Sequence, residues 1–207
     1  MVWGARARSL GSLALAALLL GCQAPPTNGA PQPTPTGASS LSTAPVAFVL
    51  ANPSGLVALD ASGGVAKRFD IPAGSFPSGP AIHPDGRQLA FALTRIGAGG
   101  FGSDIVLLDL GGGGSRTILT HEQDNVFYAG PVFDPSGRYL YFGRRAGVVQ
   151  NGASVTDDGL ERLDLQSNVR TRIVQDAADA TLSPDGRTLV FAHLVKGQVD
   201  TLWTANA

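Results

Sequence analysis

The 207-residue chain has one cysteine, Cys22, so no disulfide can form within it. Lysine is nearly absent: Lys67 and Lys196 stand against 13 arginines, a bias that reads as genome composition. No block or stripe of basic residues occurs, which argues against a nucleic-acid partner. The apolar run Leu10 to Leu20 is too short for a comfortable membrane span of about 20 residues. There is no G-x-S-x-G nucleophile elbow. Gly111 to Gly114 lacks the Lys-Ser/Thr ending of a phosphate-binding loop.

The N-terminus is set apart by what it carries. Met1 to Ser9 holds Arg6 and Arg8 and no acid, and the apolar run follows. A basic start, an apolar stretch of about 7–15 residues and small residues at a cut site define an export signal. Leu19-Leu20-Gly21-Cys22 closes it. That order resembles the lipobox of bacterial lipoproteins, in which the cysteine thiol is acylated and the chain is cut before it. The resemblance implies that residues 1–21 are a signal peptide and that Cys22 is the lipidated first residue. The alternative is an ordinary signal followed by a chance cysteine. Gln23 is not the aspartate that retains such lipoproteins in the inner membrane. Loss of Arg6 and Arg8 with the signal takes the formal charge from −1 to −3. Residues 22–44 are uncharged and rich in Pro, Thr, Ser and Ala, and they read as a disordered tether. Pro31, Pro33 and Pro35 belong to that spacer.

Residues 45–207 repeat. GPAIHPDGRQLAFA starts at Gly79, GPVFDPSGRYLYFG at Gly130 and DATLSPDGRTLVFA at Asp179. Their central prolines, Pro84, Pro135 and Pro184, lie 51 and 49 residues apart. Each copy has a short first strand, a Pro-Asp-Gly or Pro-Ser-Gly turn and a second strand of high β-propensity. The second strands are Leu89-Ala90-Phe91, Leu140-Tyr141-Phe142 and Leu189-Val190-Phe191. After a variable loop comes a third strand ending in Asp109, Asp164 or Asn206, and a fourth strand at Arg116–Leu119 and Arg170–Val174. Val46–Leu50, Leu56–Asp60 and Lys67–Ile71 fit strands two, three and four of an earlier copy. A period of roughly 40–50 residues of short strands is the signature of a β-propeller. The expected fold is all-β, a partial β-propeller of about four blades holding three, four, four and three strands.

The recurring turn and the strand-three Asp or Asn resemble the WD40-like repeat of the TolB family, across nearly all of residues 46–207. The Trp-Asp dipeptide of true WD repeats is absent. The resemblance implies that strand one lines the central axis and that blades stack face to face. Pro80 and Pro131 fit an inner edge strand, which need not donate every N–H. Ala90, Ala92, Gly143 and Ala192 fit close packing between blades. The first copy lacks its inner strand and the last its outer one, so the expectation is an open arc. Such an arc is either truncated or part of an assembly, and its open edges favour a homo-oligomer.

Candidate chemistry is sparse. Gly97 to Gly102 spells G-x-G-x-x-G but sits between two strands of one copy, where no helix opens, so it reads as a hairpin loop. His83, His121 and His193 are far apart and carry no metal-ligand spacing. His83 reads as a turn residue. Asp157-Asp158 reads as a solvated or capping pair, with a cation contact as the alternative. Arg87, Arg138 and Arg187 follow each turn, and a residue repeated in every blade serves the blade. Variable loops on a repeated scaffold carry specificity. The loops Thr94–Ser103, Gly143–Asp158 and Val195–Val199 share one face with the connections between blades. Arg95, Phe101, His121, Tyr128, Arg144, Arg145 and Asn151 are the expected partner contacts there. No catalytic residue, metal or cofactor is expected.

The expected function is a non-catalytic, lipid-anchored, extracytoplasmic module that presents this face to a protein or cell-envelope partner. The alternatives are the propeller part of a larger envelope hydrolase or peptidase, and a truncated gene product.

Overall fold

The computed structural model describes residues 41–97 and 100–207. The expected signal segment, Cys22 and most of the expected tether lie outside the described residues. The chain divides between Ala38 and Ser39, and the following account concerns the second part.

Fourteen strands form among the described residues, and all but one of their pairings are antiparallel. Blade 1 has β1 (Phe48–Asn52), β2 (Gly55–Leu59) and β3 (Val65–Phe69). Blade 2 has β4 (Ser75–Ile82), β5 (Gln88–Gly97), β6 (Gly100–Asp109) and β7 (Ser115–Leu119). Blade 3 has β8 (Val126–Phe133), β9 (Tyr139–Gln150), β10 (Ala153–Asp164) and β11 (Val169–Gln175). Blade 4 has β12 (Ala177–Leu182), β13 (Thr188–Val195) and β14 (Gln198–Asn206). The expected count of three, four, four and three strands holds. Blades 2 and 3 are joined by a single parallel pair, Gly102 with Val126, so they remain two meanders.

Two local signals build each blade. The Pro-Asp/Ser-Gly turn closes with Gly86, Gly137 and Gly186 at φ 72°, 73° and 70°, the left-handed region that glycine enters without steric cost. The side chains of Asp85, Ser136 and Asp185 accept the N–H of Arg87, Arg138 and Arg187. The strand-three aspartates cap the next turn. Asp60 accepts the N–H of Ser62 and Gly64, Asp109 those of Gly111 and Gly112, and Asp164 those of Gln166 and Ser167. The recurring arginines act first through their backbone: the carbonyls of Arg87, Arg138 and Arg187 accept from Leu110, Leu165 and Ala207.

The core lies between blades, not within them. Strand alternation sends Leu89, Phe91 and Leu93 of β5 toward Leu56 and Phe69 of blade 1. Ala90 and Ala92 of the same strand face Tyr128, Leu140 and Phe142 of blade 3. Tyr141 of β9 faces Leu189 and Phe191 of blade 4. Small residues on one blade therefore receive rings from the next. Phe142 is fully buried and meets Tyr128 edge to face at 5.4 Å. Phe48 and Leu50 on the far side of blade 1 stay exposed, as does Leu202 on the far side of blade 4.

One expectation needs correction, and one gains a contact. The segments Thr94–Ser103, Gly143–Asp158 and Val195–Val199 are not loops for most of their length. They are long antiparallel hairpins, with β9 and β10 paired from Tyr139–Asp164 out to Gln150–Ala153. His83 sits in its turn, and it also reaches the next blade: its Nε2 stands 3.2 Å from the Gly137 carbonyl. A Cβ at Gly137 would collide with that imidazole.

Because the core is inter-blade, a cavity in it should loosen two blades at once. Phe142→Ala should lower unfolding free energy by about 3–5 kcal/mol, read by urea denaturation. A loss below about 1 kcal/mol would contradict the stacking.

Candidate binding face

The hairpins between strands two and three lie on the same side as the links between blades, and each link is fixed by one left-handed residue. Gly74, Asn125 and Asp176 stand just before β4, β8 and β12, each 51 residues from the next, with φ of 76°, 65° and 50°. The Asn125 N–H donates to the Phe101 carbonyl of the preceding blade, and its own carbonyl accepts from Gly147. Asp176 does the same, donating to Asp158 and accepting from Leu194. One residue thus joins strand three of one blade to strand two of the next.

Around the blade 2–blade 3 link the polar groups are buried and paired. Asp104 accepts from Arg95 Nε at 2.9 Å, from the His121 backbone N–H at 3.0 Å and from His121 Nδ1 at 2.6 Å. Burial opposes ionisation of this carboxyl, but the His121 hydrogen bonds and the Arg95 charge hold it below the ordinary value. Ser103 Oγ donates to the Tyr128 carbonyl and accepts its N–H, both at 2.6 Å.

A second network crosses blade 3. Arg144, Arg170 and Arg172 converge with Glu122, Asp157 and Glu161. Arg172 donates to both oxygens of Asp157, and Gln175 donates to one. The Arg172 bonds depress the Asp157 carboxyl to about 2 against the opposing effect of burial. Glu161 behaves oppositely: burial pushes its pKa up, against the pull of the three arginines. Its Oε2 is buried without a hydrogen bond, although Arg170 Nε stands 3.3 Å away. Arg170 also donates to the Tyr128 hydroxyl at 2.7 Å.

Blades 3 and 4 leave a cleft of about 540 Å³ between them. Phe127, Ala129, Ala177, Ala178, Leu194 and Val199 form apolar walls, with Arg144, Arg145, Asp158 and Asp179 as charged ones. Arg145 bonds Asp158 at 2.6 Å and donates to the Gly197 carbonyl, tying the two blades together across the opening.

The expected contact residues therefore divide. Phe101 is exposed beside Phe127, 5.0 Å away edge to face, Arg145 is half exposed, and Asn151 forms the β9–β10 turn at φ 51°. Arg95 and Arg144 lie on this side but are held by Asp104 and by Asp157. His121 is largely covered and braces the link. Tyr128 is corrected: at 1% exposure its ring is core. Asp157 and Asp158 are arginine partners, not a free pair. His83, His121 and His193 occupy three separate blades or links, and no group of three or more His, Cys, Asp or Glu among the described residues is arranged to hold a metal ion.

Sequence reasoning picked out Phe101 but missed the apolar tips around it. Ile96 and Phe101, Val149 and Val155, and Val195 and Val199 are exposed on the three hairpins, one pair per blade. It also missed Glu122, Glu161, Arg170 and Arg172. The left-handed residues had left a signal, a Gly, Asn or Asp recurring every 51 positions.

Neither a scan against protein-family models nor a search of curated proteins returns a match. Solved structures do match. The chain is similar to a protein assigned as TolB from Agrobacterium tumefaciens, with 19% identity and a TM-score of 0.51 over 75% of this chain and 55% of that one. It is similar to oligogalacturonate lyase from Vibrio parahaemolyticus, at 13% identity and a TM-score of 0.50, covering 74% and 41%. The β-propeller domain of a trilobed protease from Pyrococcus furiosus matches at 18% identity and a TM-score of 0.46, covering 64% and 39%. The chain thus spans about half or less of the length of these structures. The likeness to the first two shows the fold: this chain is a partial β-propeller.

Acid should loosen the Asp157 cluster. A carboxyl depressed to about 2 in the fold and near 3.9 when unfolded stabilises the fold above the higher value. That contribution fades as pH falls toward the lower one. Thermal melts between pH 5 and pH 2 should show a smaller decline for Asp157→Asn than for the wild type. Equal declines would contradict the pairing.

Proposed function

We propose that this protein is a lipid-anchored, extracytoplasmic β-propeller module that binds a protein or cell-envelope partner without catalysing a reaction on it. The observation that carries the reading is the alignment of three exposed apolar hairpin tips on one side of the blades. Each tip projects from a paired, hydrogen-bonded hairpin, so the surface is preorganised and little is lost in ordering it on contact. Aromatic and arginine groups on such a rim, here Phe101 and Arg145, are common interface anchors. The Leu19-Leu20-Gly21-Cys22 sequence supports the anchor, and the uncharged stretch after it supports a spacer from the membrane. Placement in the periplasm or outer membrane follows for a double-membraned host. Exposed Phe48, Leu50, Leu202 and Trp203 on the outer blades support self-association as well. A second reading, the propeller portion of a larger envelope enzyme, is favoured by the short span of this chain on the lyase structure.

Two measurements test it. Cys22→Ser should move the protein from the membrane to the soluble fraction and abolish labelling by a fatty-acid analogue. A wild type that is soluble and unlabelled would contradict the anchor. A photo-crosslinking residue at Val149 or Val199 of the full chain should give discrete adducts in cells, and one at Asp85, on the opposite side, should not. Equal adducts at all three positions would contradict a directed face.

A further inference from the structure

The three inner strands share one irregularity. β4, β8 and β12 each bulge against their neighbours, with a break in register after Ser78, Ala129 and Ala178. The residue at each break is left-handed: Gly79 at φ 56°, Gly130 at 53° and Asp179 at 51°. Two blades use glycine, which carries no side chain. A Cβ at Gly79 would lie 3.0 Å from the Gly130 Cα, so that position cannot hold one without displacement. The third blade places a carboxylate there, in a backbone region that L-residues other than Asn and Asp rarely enter.

Asp179 is exposed and is among the residues that line the 540 Å³ cleft between blades 3 and 4. The other charged walls of the cleft are neutralised: Arg145 by Asp158, and Arg144 by Asp157. Among the described residues Asp179 has no ion-pair partner. The cleft therefore offers one uncompensated negative charge beside apolar walls from Phe127, Ala177, Leu194 and Val199. Its volume falls within the roughly 300–1,000 Å³ typical of small-ligand sites.

We infer that this cleft binds a protonated amine carried on a short apolar stem, with Asp179 as its counter-ion. The amine is either a free alkylamine or the side chain of a lysine on a partner polypeptide. Phe127 supplies a ring face for the cation and the alanines make room for the stem. The inference adds a ligand class to the face described above, and it does not depend on the lipid anchor.

The test uses the full chain in detergent, titrated with n-butylamine, with N-acetyl-lysine methylamide and with n-butanol, followed by amide NMR. Saturable binding of an amine, with shifts at Ala178, Leu194 and Val199, is expected, and n-butanol should bind at least tenfold more weakly. Preference for the lysine amide over butylamine identifies the polypeptide source, and the reverse preference a free amine. Asp179→Asn should weaken amine binding at least tenfold, and Asp185→Asn, in the turn on the opposite side, should not. Asp179→Gly restores the residue used by the other blades, so it should keep or raise the melting temperature while losing the amine. Absence of saturable binding, or binding unchanged in both Asp179 variants, overturns the inference. Either result is separable from failure of crosslinking at Val149, which reads the hairpin tips.

Discussion

The structure depends on a backbone joint made where one blade gives way to the next. Asn125 and Asp176 each donate to the preceding blade and accept from their own, and both must adopt a left-handed conformation to do so. That conformation costs a non-glycine residue about 1–3 kcal/mol unless its surroundings hold it. Asparagine and aspartate reduce the cost because they enter this region most readily among side-chain-bearing residues. The joints bring consecutive inner strands side by side, and the alternating faces of β5, β9 and β13 then meet across the blade interfaces. Hydrophobic burial supplies the free energy of stacking, and the joint fixes where the stacking occurs.

The same joints position the candidate face. Phe101, whose carbonyl accepts from Asn125, carries its ring to Phe127 on the next blade. Asp158, whose carbonyl accepts from Asp176, holds Arg145 across to the β13–β14 turn. Local backbone geometry thus places side chains from separate blades within contact. The buried charges nearby are costly unless paired. Most of them are paired, and Glu161 answers its burial with a raised pKa.

Much of the fold was legible because it is written in short-range chemistry that recurs. Proline presets a turn, glycine completes it, and alternating β-formers follow, three times at blade spacing. The strand-three aspartates were visible for the same reason. The hairpin extensions were not legible: Thr94–Gly97 and Gly143–Gln150 mix arginine and glycine with one isoleucine and the adjacent pair Val148 and Val149, and no strict alternation marks them as strands. They become strands because a paired neighbour satisfies their backbone groups. The site was only partly legible. Arg145 and Phe101 stood out as exposed types in variable segments, whereas Tyr128 looked the same in sequence and is buried. Its partner Arg170 lies 42 residues away and on another strand, a distance that local reading cannot bridge. Asp179 was visible as a departure from glycine in the repeat, but its meaning appears only once the cleft around it is seen.

The central claim, that consecutive blades fan from inner strands pressed together, predicts one short proton–proton contact. A Cβ at Gly79 would stand 3.0 Å from the Gly130 Cα, so the α-protons of these two glycines must be close. Nuclear Overhauser spectroscopy on the labelled protein should show a strong cross-peak between them, although they are 51 residues apart in sequence. A fully assigned spectrum without that cross-peak would contradict the arrangement of the blades.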